Sequence, residues 1–253
     1  MPREGYHYVG IDLPGSGMST HLPVGVKIMR FHYLGAIEVA LKHLGWDKFI
    51  YMGHSMGSEL GLFYDAIYPG KITKMILLDA EPSLRRLQLQ DVADYQLNYY
   101  DNYYNNYDIE NYQYKTYTVS EAKKAVMKAR NLTEDKASIV VKRSLIHVKD
   151  DLYRFTWGHR LKSLAPLNHP YTYYAALFRN IPPCLLISAS KSLNENTKRS
   201  TDSKALIRTM ETLKNFTHVV VEGDHDVHLS HPERVAPYVK EFLRNNTIVS
   251  SKL

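Results

Sequence analysis

The 253-residue chain has a single cysteine, Cys184, set in the apolar run Cys184-Leu185-Leu186-Ile187. One thiol cannot close an intrachain disulfide, so the chain needs no oxidising compartment, and a thiol in such a run is expected to be buried and structural. Long hydrophobic runs are missing too. No stretch approaches eighteen apolar residues, which leaves no candidate for a helical membrane span. The opening residues, Met1-Pro2-Arg3-Glu4-Gly5-Tyr6-His7, lack the apolar centre of a secretory signal, and an intracellular, soluble protein is the expectation. On that expectation the Asn-x-Thr triplets at Asn131, Asn215 and Asn245 are coincidental. The 32 basic and 26 acidic side chains leave a net charge of +6, but no run of five or six Lys/Arg exists, so nucleic acid is not an expected partner. There is no internal repeat.

What remains is a composition that is 44% hydrophobic, enough for one full core with room for an inserted subdomain. Short apolar runs alternate with helical periodicity, the pattern of parallel strands joined by crossover helices. Residues 6–11 read as a first strand, closed by a loop over 12–19 that Pro14, Gly15 and Gly17 keep irregular. A helix follows with Ile37, Ala40, Leu41 and Leu44 on one face and Gly45 as its stop. Strands are expected at 49–52 and 75–78, with a helix over 56–67 between them. From 82 to 183 no strand pattern is visible; helical stretches appear at 119–130 and 133–149, and 94–117 is crowded with Tyr and Asn. That crowded segment reads as exposed chain or as an aromatic substrate-binding wall. Strands resume at 185–187 and 218–221, with a helix near 203–213. A final helix carries Val235, Tyr238, Val239 and Phe242 at i, i+3, i+4 and i+7. The fold class is therefore α/β with a mostly parallel sheet. Its organisation is expected to be a core in two pieces, 1–81 and 183–253, interrupted by an inserted helical cap at 82–182.

Chemistry concentrates at Gly53-His54-Ser55-Met56-Gly57. A Gly-x-Ser-x-Gly match is weak alone, but here it follows an apolar strand and opens a helix, the setting in which a tight turn exposes a serine hydroxyl at the sheet edge. Both glycines are expected to be small because strand and helix backbones pass close to the turn. The Met56 N–H, at the new helix's N-terminus, points to where an oxyanion would form. A serine hydroxyl needs a histidine base and a third group that orients that base. His225, just after a predicted strand in Gly223-Asp224-His225, fits best, with His228 and His231 as competitors on the same loop. The last three residues, Ser251-Lys252-Leu253, match the receptor-read peroxisomal address, so import by the peroxisomal receptor is expected.

Taken together, residues 12–19, the Ser55 turn, Leu77-Leu78-Asp79, and Gly223-Asp224-His225 with Pro232 seven residues on resemble the successive landmarks of α/β-hydrolases. The chain is most similar in kind to the serine hydrolase-like family, which joins this turn to a helical cap. The resemblance implies acyl transfer on a small carboxylic ester, with Ser55 and His225 in the matching positions and no metal or organic cofactor. For the acid it leaves two positions open. Ser192 occupies the usual slot, Glu195 lies three residues later, and Asp79 ends the preceding strand; Asp202 is a distant third. In the family some sixty residues, with three strands and a second oxyanion donor, precede what is residue 6 here. Their absence implies a shortened chain with an exposed sheet edge beside the strand at 49–52, either gapped or forced to pair with 6–11. Thioester or carbon–carbon bond hydrolysis on the same scaffold, and a non-catalytic descendant that binds a small ligand, are the competing readings. Dehalogenase and epoxide hydrolase chemistry is disfavoured, because those enzymes place Asp where Ser55 stands.

Overall fold

The computed structural model describes residues 5–20, 22–23, 26, 28–97, 115–157, 167–194 and 200–244. Glu195, most of the Tyr- and Asn-rich segment, and Ser251, Lys252 and Leu253 lie outside the described residues. Six strands are named in chain order: β1 (Phe49–His54), β2 (Ile72–Leu78), β3 (Leu145–Lys149), β4 (Leu152–Phe155), β5 (Cys184–Ala189) and β6 (Phe216–Val221). The chain forms two compact units. One comprises Met1–Tyr6, Leu41–Asp91 and Pro166–Leu253; the other comprises His7–Ala40 and Val92–Ala165.

The first unit is built on a parallel sheet of order β1-β2-β5-β6. Every residue of β5 is buried, as the continuous apolar run requires of a central parallel strand. Side chains alternate across a strand, so Ile76 and Leu78 of β2 and Leu185, Ile187 and Ala189 of β5 share one face. Against that face lies the helix Pro232–Arg244, through Val235, Val239 and Leu243. The buried stripe thus runs at i, i+4, i+8, with Phe242 at its margin and Tyr238 exposed. Beside β1 and β2 packs the helix Met56–Ile67, burying Leu60, Leu62 and Tyr64. The single thiol, Cys184, is fully buried as expected.

That helix also buries Asp65, whose carboxyl is pushed by desolvation from its ordinary 3.8 up to about 6. The native state then holds a proton that the unfolded chain releases between about pH 4 and 6, so stability falls as pH rises through that window and stays lowered above it. Asp65→Asn is expected to raise stability at pH 7 by up to about 2 kcal/mol and to leave it unchanged near pH 3.5. Urea titrations of both proteins at the two pH values measure this.

Residues 6–11, expected as a strand, have no regular structure. Tyr6, Tyr8, Val9 and Ile11 are each more than a third exposed. Among the described residues β1 pairs only with β2, and Met52 on β1 is 44% exposed. An extended segment with no neighbouring strand leaves its N–H and C=O groups to water, so it gains nothing by straightening into a strand.

In the second unit the helix Val119–Arg130 starts with a reciprocal Thr118–Glu121 capping box and stops at Asn131 in the left-handed conformation. It pairs with the helix Glu134–Ser144, burying Ala122, Val126, Ala137 and Val141. The helix expected over 133–149 ends early: Leu145–Lys149 is β3, antiparallel to β4, in a region expected to hold no strand. Ile146, Val148, Tyr153 and Phe155 are β-formers, and Asp150 at φ 48° supplies the tight reversal between the strands.

Candidate active site

In a parallel sheet all strands deliver their C-terminal ends to one edge, where ligand sites form. His54 pairs in register with Leu78, and Leu78 with Ile187, so Ser55 and Asp79 begin adjacent loops. The ladder extends one step further: the Ser55 N–H donates to the Leu78 carbonyl at 2.9 Å and the Asp79 N–H to the Ile187 carbonyl at 2.7 Å. β6 ends at the same edge and leads into the loop that carries His225.

Ser55 joins β1 to the helix Met56–Ile67 with φ 52° and ψ −118°, a conformation that a non-glycine residue adopts only under constraint. The constraint is close packing at Gly53, where an added Cβ would fall 2.4 Å from the Gly57 carbonyl group. Gly57 itself has open space around its Cβ position, so the expectation that both glycines are sterically required holds only for the first. A second close approach lies one turn on, where Gly61 admits the ring of Tyr51, whose hydroxyl donates to the Gly57 carbonyl at 2.6 Å. Gly53→Ala is expected to lower stability by about 1–3 kcal/mol, and Gly57→Ala to leave it near wild type. Thermal melts of the two variants separate these outcomes.

Asp79 is 1% exposed and also has positive φ, 46°. Its Oδ1 accepts the Ala189 N–H at 2.8 Å, and its Oδ2 accepts the Ser192 hydroxyl at 2.6 Å and the His225 Nδ1–H at 2.6 Å. The carboxylate, an acceptor only, fixes the proton on Nδ1 and leaves the Nε2 lone pair of His225 available. Ser192, in the slot where an acid was sought, thus serves Asp79 instead. Asp202 is engaged elsewhere, paired with Arg86 at 2.6 Å. Of the three histidines on the last loop, His225 makes the carboxylate contact. It is also tied to the serine turn: the His54 Nε2–H donates to the His225 carbonyl at 2.8 Å, and the two rings lie 4.5 Å apart. Burial, and then the nearby His225, lower the pKa of His54, which favours its neutral form. Ser83 braces the turn from the other side, donating to the Ser55 carbonyl at 3.0 Å.

The alignment of three loops at one sheet edge is the architecture of a known family. Residues 2–232 match the model for the alpha/beta hydrolase fold. The chain belongs to that family. Among its relatives, the serine hydrolase-like protein of Danio rerio is 25% identical over 250 residues, covering 96% of this chain and 75% of that protein. A probable serine hydrolase of Drosophila melanogaster is 26% identical over 245 residues, covering 93% and 72%. Of the solved structures, a hypothetical protein from Pseudomonas aeruginosa PAO1 superposes with a TM-score of 0.73 at 20% identity, over 92% of this chain and 80% of that one. The thioesterase domain from the curacin biosynthetic pathway does so with 0.70 at 22%, over 91% and 79%. The family match and the relatives' names support a hydrolase resembling the serine hydrolase-like family.

Sequence reasoning named Ser192 only as the occupant of the acid's usual slot, not as a donor to Asp79, and missed Ser83, for which a short polar side chain near a strand end was the only signal. It also missed a second serine–histidine–carboxylate chain, in which Glu211 accepts from His218 Nδ1 at 2.6 Å and Ser188 Oγ lies 2.8 Å from His218 Nε2. Ser188 is fully buried within β5, so no substrate reaches it and the chain is structural.

Proposed function

We propose that this α/β-hydrolase cleaves carboxylic esters by acyl transfer through Ser55, with His225 as base and Asp79 as the orienting acid. The observation that carries the reading is the buried Asp79 carboxylate 2.6 Å from His225 Nδ1, on a loop adjacent to the Ser55 turn. His225 Nε2 takes the Ser55 hydroxyl proton as Oγ attacks the ester carbonyl, and Asp79 stabilises the imidazolium that forms. The tetrahedral oxyanion is met by the Met56 N–H in the first turn of the helix. Collapse expels the alcohol, protonated by His225, and leaves an acyl–Ser55 ester. Water, activated by the same histidine, then releases the carboxylic acid. The strained φ of Ser55 holds the nucleophile at the sheet edge rather than among the helix's own carbonyls.

A fluorophosphonate probe tests the proposal, because it reacts only with a serine that its base activates. Covalent labelling of the native chain at Ser55, mapped by peptide mass spectrometry, is the expected result. A folded chain that takes no label would favour instead a non-catalytic member of the family that binds a small ligand.

A further inference from the structure

Beside this machinery lies a group of side chains that take no part in the acyl transfer itself. One ligand atom each from His54, Asp226 and His228 lie within 4.8 Å of one another. The rings of His54 and His228 are 4.1 Å apart between centroids, tilted by 39°. Asp226 is only 8% exposed. Two imidazoles and a buried carboxylate form the donor set that favours zinc and its neighbours over magnesium or calcium, which prefer all-oxygen sites.

Two features prepare the group. The His54 Nε2–H is held by the His225 carbonyl, so the ring's lone pair is on Nδ1, and a hydrogen bond of this kind from the other ring nitrogen orients metal-binding histidines. The turn that presents Asp226 and His228 is itself fixed. Val227 between them is buried in the core, packed so close to Gly223 that a Cβ there would sit 2.5 Å from its Cγ2. The Gly223 carbonyl accepts the Lys191 N–H at 3.0 Å, anchoring the loop to the short helix Ser190–Asn194 that follows β5. Ligand atoms around a tetrahedral zinc stand about 3.3 Å apart, and these three lie within 4.8 Å of one another, so their separations shorten by at most about 1.5 Å on binding.

We propose that His54, Asp226 and His228 form a binding site for a divalent transition-metal ion, with zinc as the best-fitting member. The ion cross-links the end of β1 to the loop after β6. It therefore fixes the spacing between the segment that carries Ser55 and the segment that carries His225. The site goes beyond the ester-hydrolase reading and does not depend on it, because binding needs no turnover.

The test is calorimetric titration of zinc chloride into the purified full chain at neutral pH, with thermal melts run in parallel. The expected result is one ion per chain at roughly micromolar affinity, with a higher Tm in saturating zinc. Asp226→Asn and His228→Gln each weaken binding at least tenfold and remove the Tm rise, while His225→Ala leaves both in place. No binding by the wild type, or binding equally tight in both ligand variants, overturns the site. Loss of binding in His225→Ala also overturns it, by moving the ion onto the Asp79–His225 pair. The fluorophosphonate result is independent of all of these, so failure of one proposal is distinguishable from failure of the other.

Discussion

Ser55→Ala is expected to abolish hydrolysis of an activated ester such as p-nitrophenyl acetate, by on the order of 10⁴- to 10⁶-fold in kcat, with fluorophosphonate labelling lost as well. The size follows from the division of labour at the sheet edge. His225 and Asp79 have no role in acyl transfer without a hydroxyl to deprotonate, so removing Oγ silences all three residues together. The fold should survive the change, since the Ser55 backbone contacts to Leu78 and Ser83 are made through N–H and C=O rather than through the side chain. Ser55→Gly sharpens the comparison. Glycine accepts φ 52° without penalty, so this equally inactive variant should be more stable than wild type by about 1 kcal/mol. A variant that lost activity and stability together in both forms would mean that Ser55 is structural.

The second large effect is expected at Asp79. Asp79→Asn should lower kcat by on the order of 10⁴-fold, while Glu195→Gln stays within about twofold of wild type. Asp79 receives the Ala189 N–H, the Ser192 hydroxyl and the His225 Nδ1–H, all as acceptor. An asparagine brings an N–H₂ group into that ring of donors and turns His225 toward the tautomer whose Nε2 carries a proton and cannot take one from Ser55. Since the site is buried, part of the effect will appear as lost stability, and kcat should be measured on protein shown to be folded by its melt. The opposite outcome, with Glu195→Gln inactive and Asp79→Asn active, would assign the acid to the loop after β5 and reduce Asp79 to a brace.

The two acids show where local pattern stops. Ser55 was legible because its chemistry imposes a local pattern: a strand, a glycine that lets the Gly57 backbone approach, a serine and a helix start, all contiguous. His225 was legible for the weaker reason that the strand before it predicts the edge at which its loop emerges. Asp79 and Glu195 could not be ranked, since each follows a strand and either loop reaches the same edge. Asp79 is singled out by a contact across 146 positions of sequence and by two further donors from the end of β5 and the turn after it. Neither spacing nor composition encodes such contacts. The strand expected at 6–11 failed for a related reason, because strand propensity is realised only when a partner is in register, and residues 6–11 have no regular structure. The hairpin β3–β4 escaped notice because its apolar residues continue the helical period of the segment before them.

By itself, then, the sequence determined the α/β class, the parallel order of turns and helices, the serine at the strand-to-helix turn and the histidine on the last loop. All of these are carried by periodicity or by residues within a few positions of one another. Tertiary structure alone singled out Asp79 as the residue that holds His225, turned Ser192 from an empty slot into a supporting donor, and gathered His54, Asp226 and His228 into one donor set. Those relations are distances between residues far apart in the chain, and only the register of β1, β2, β5 and β6 brings them to a common edge.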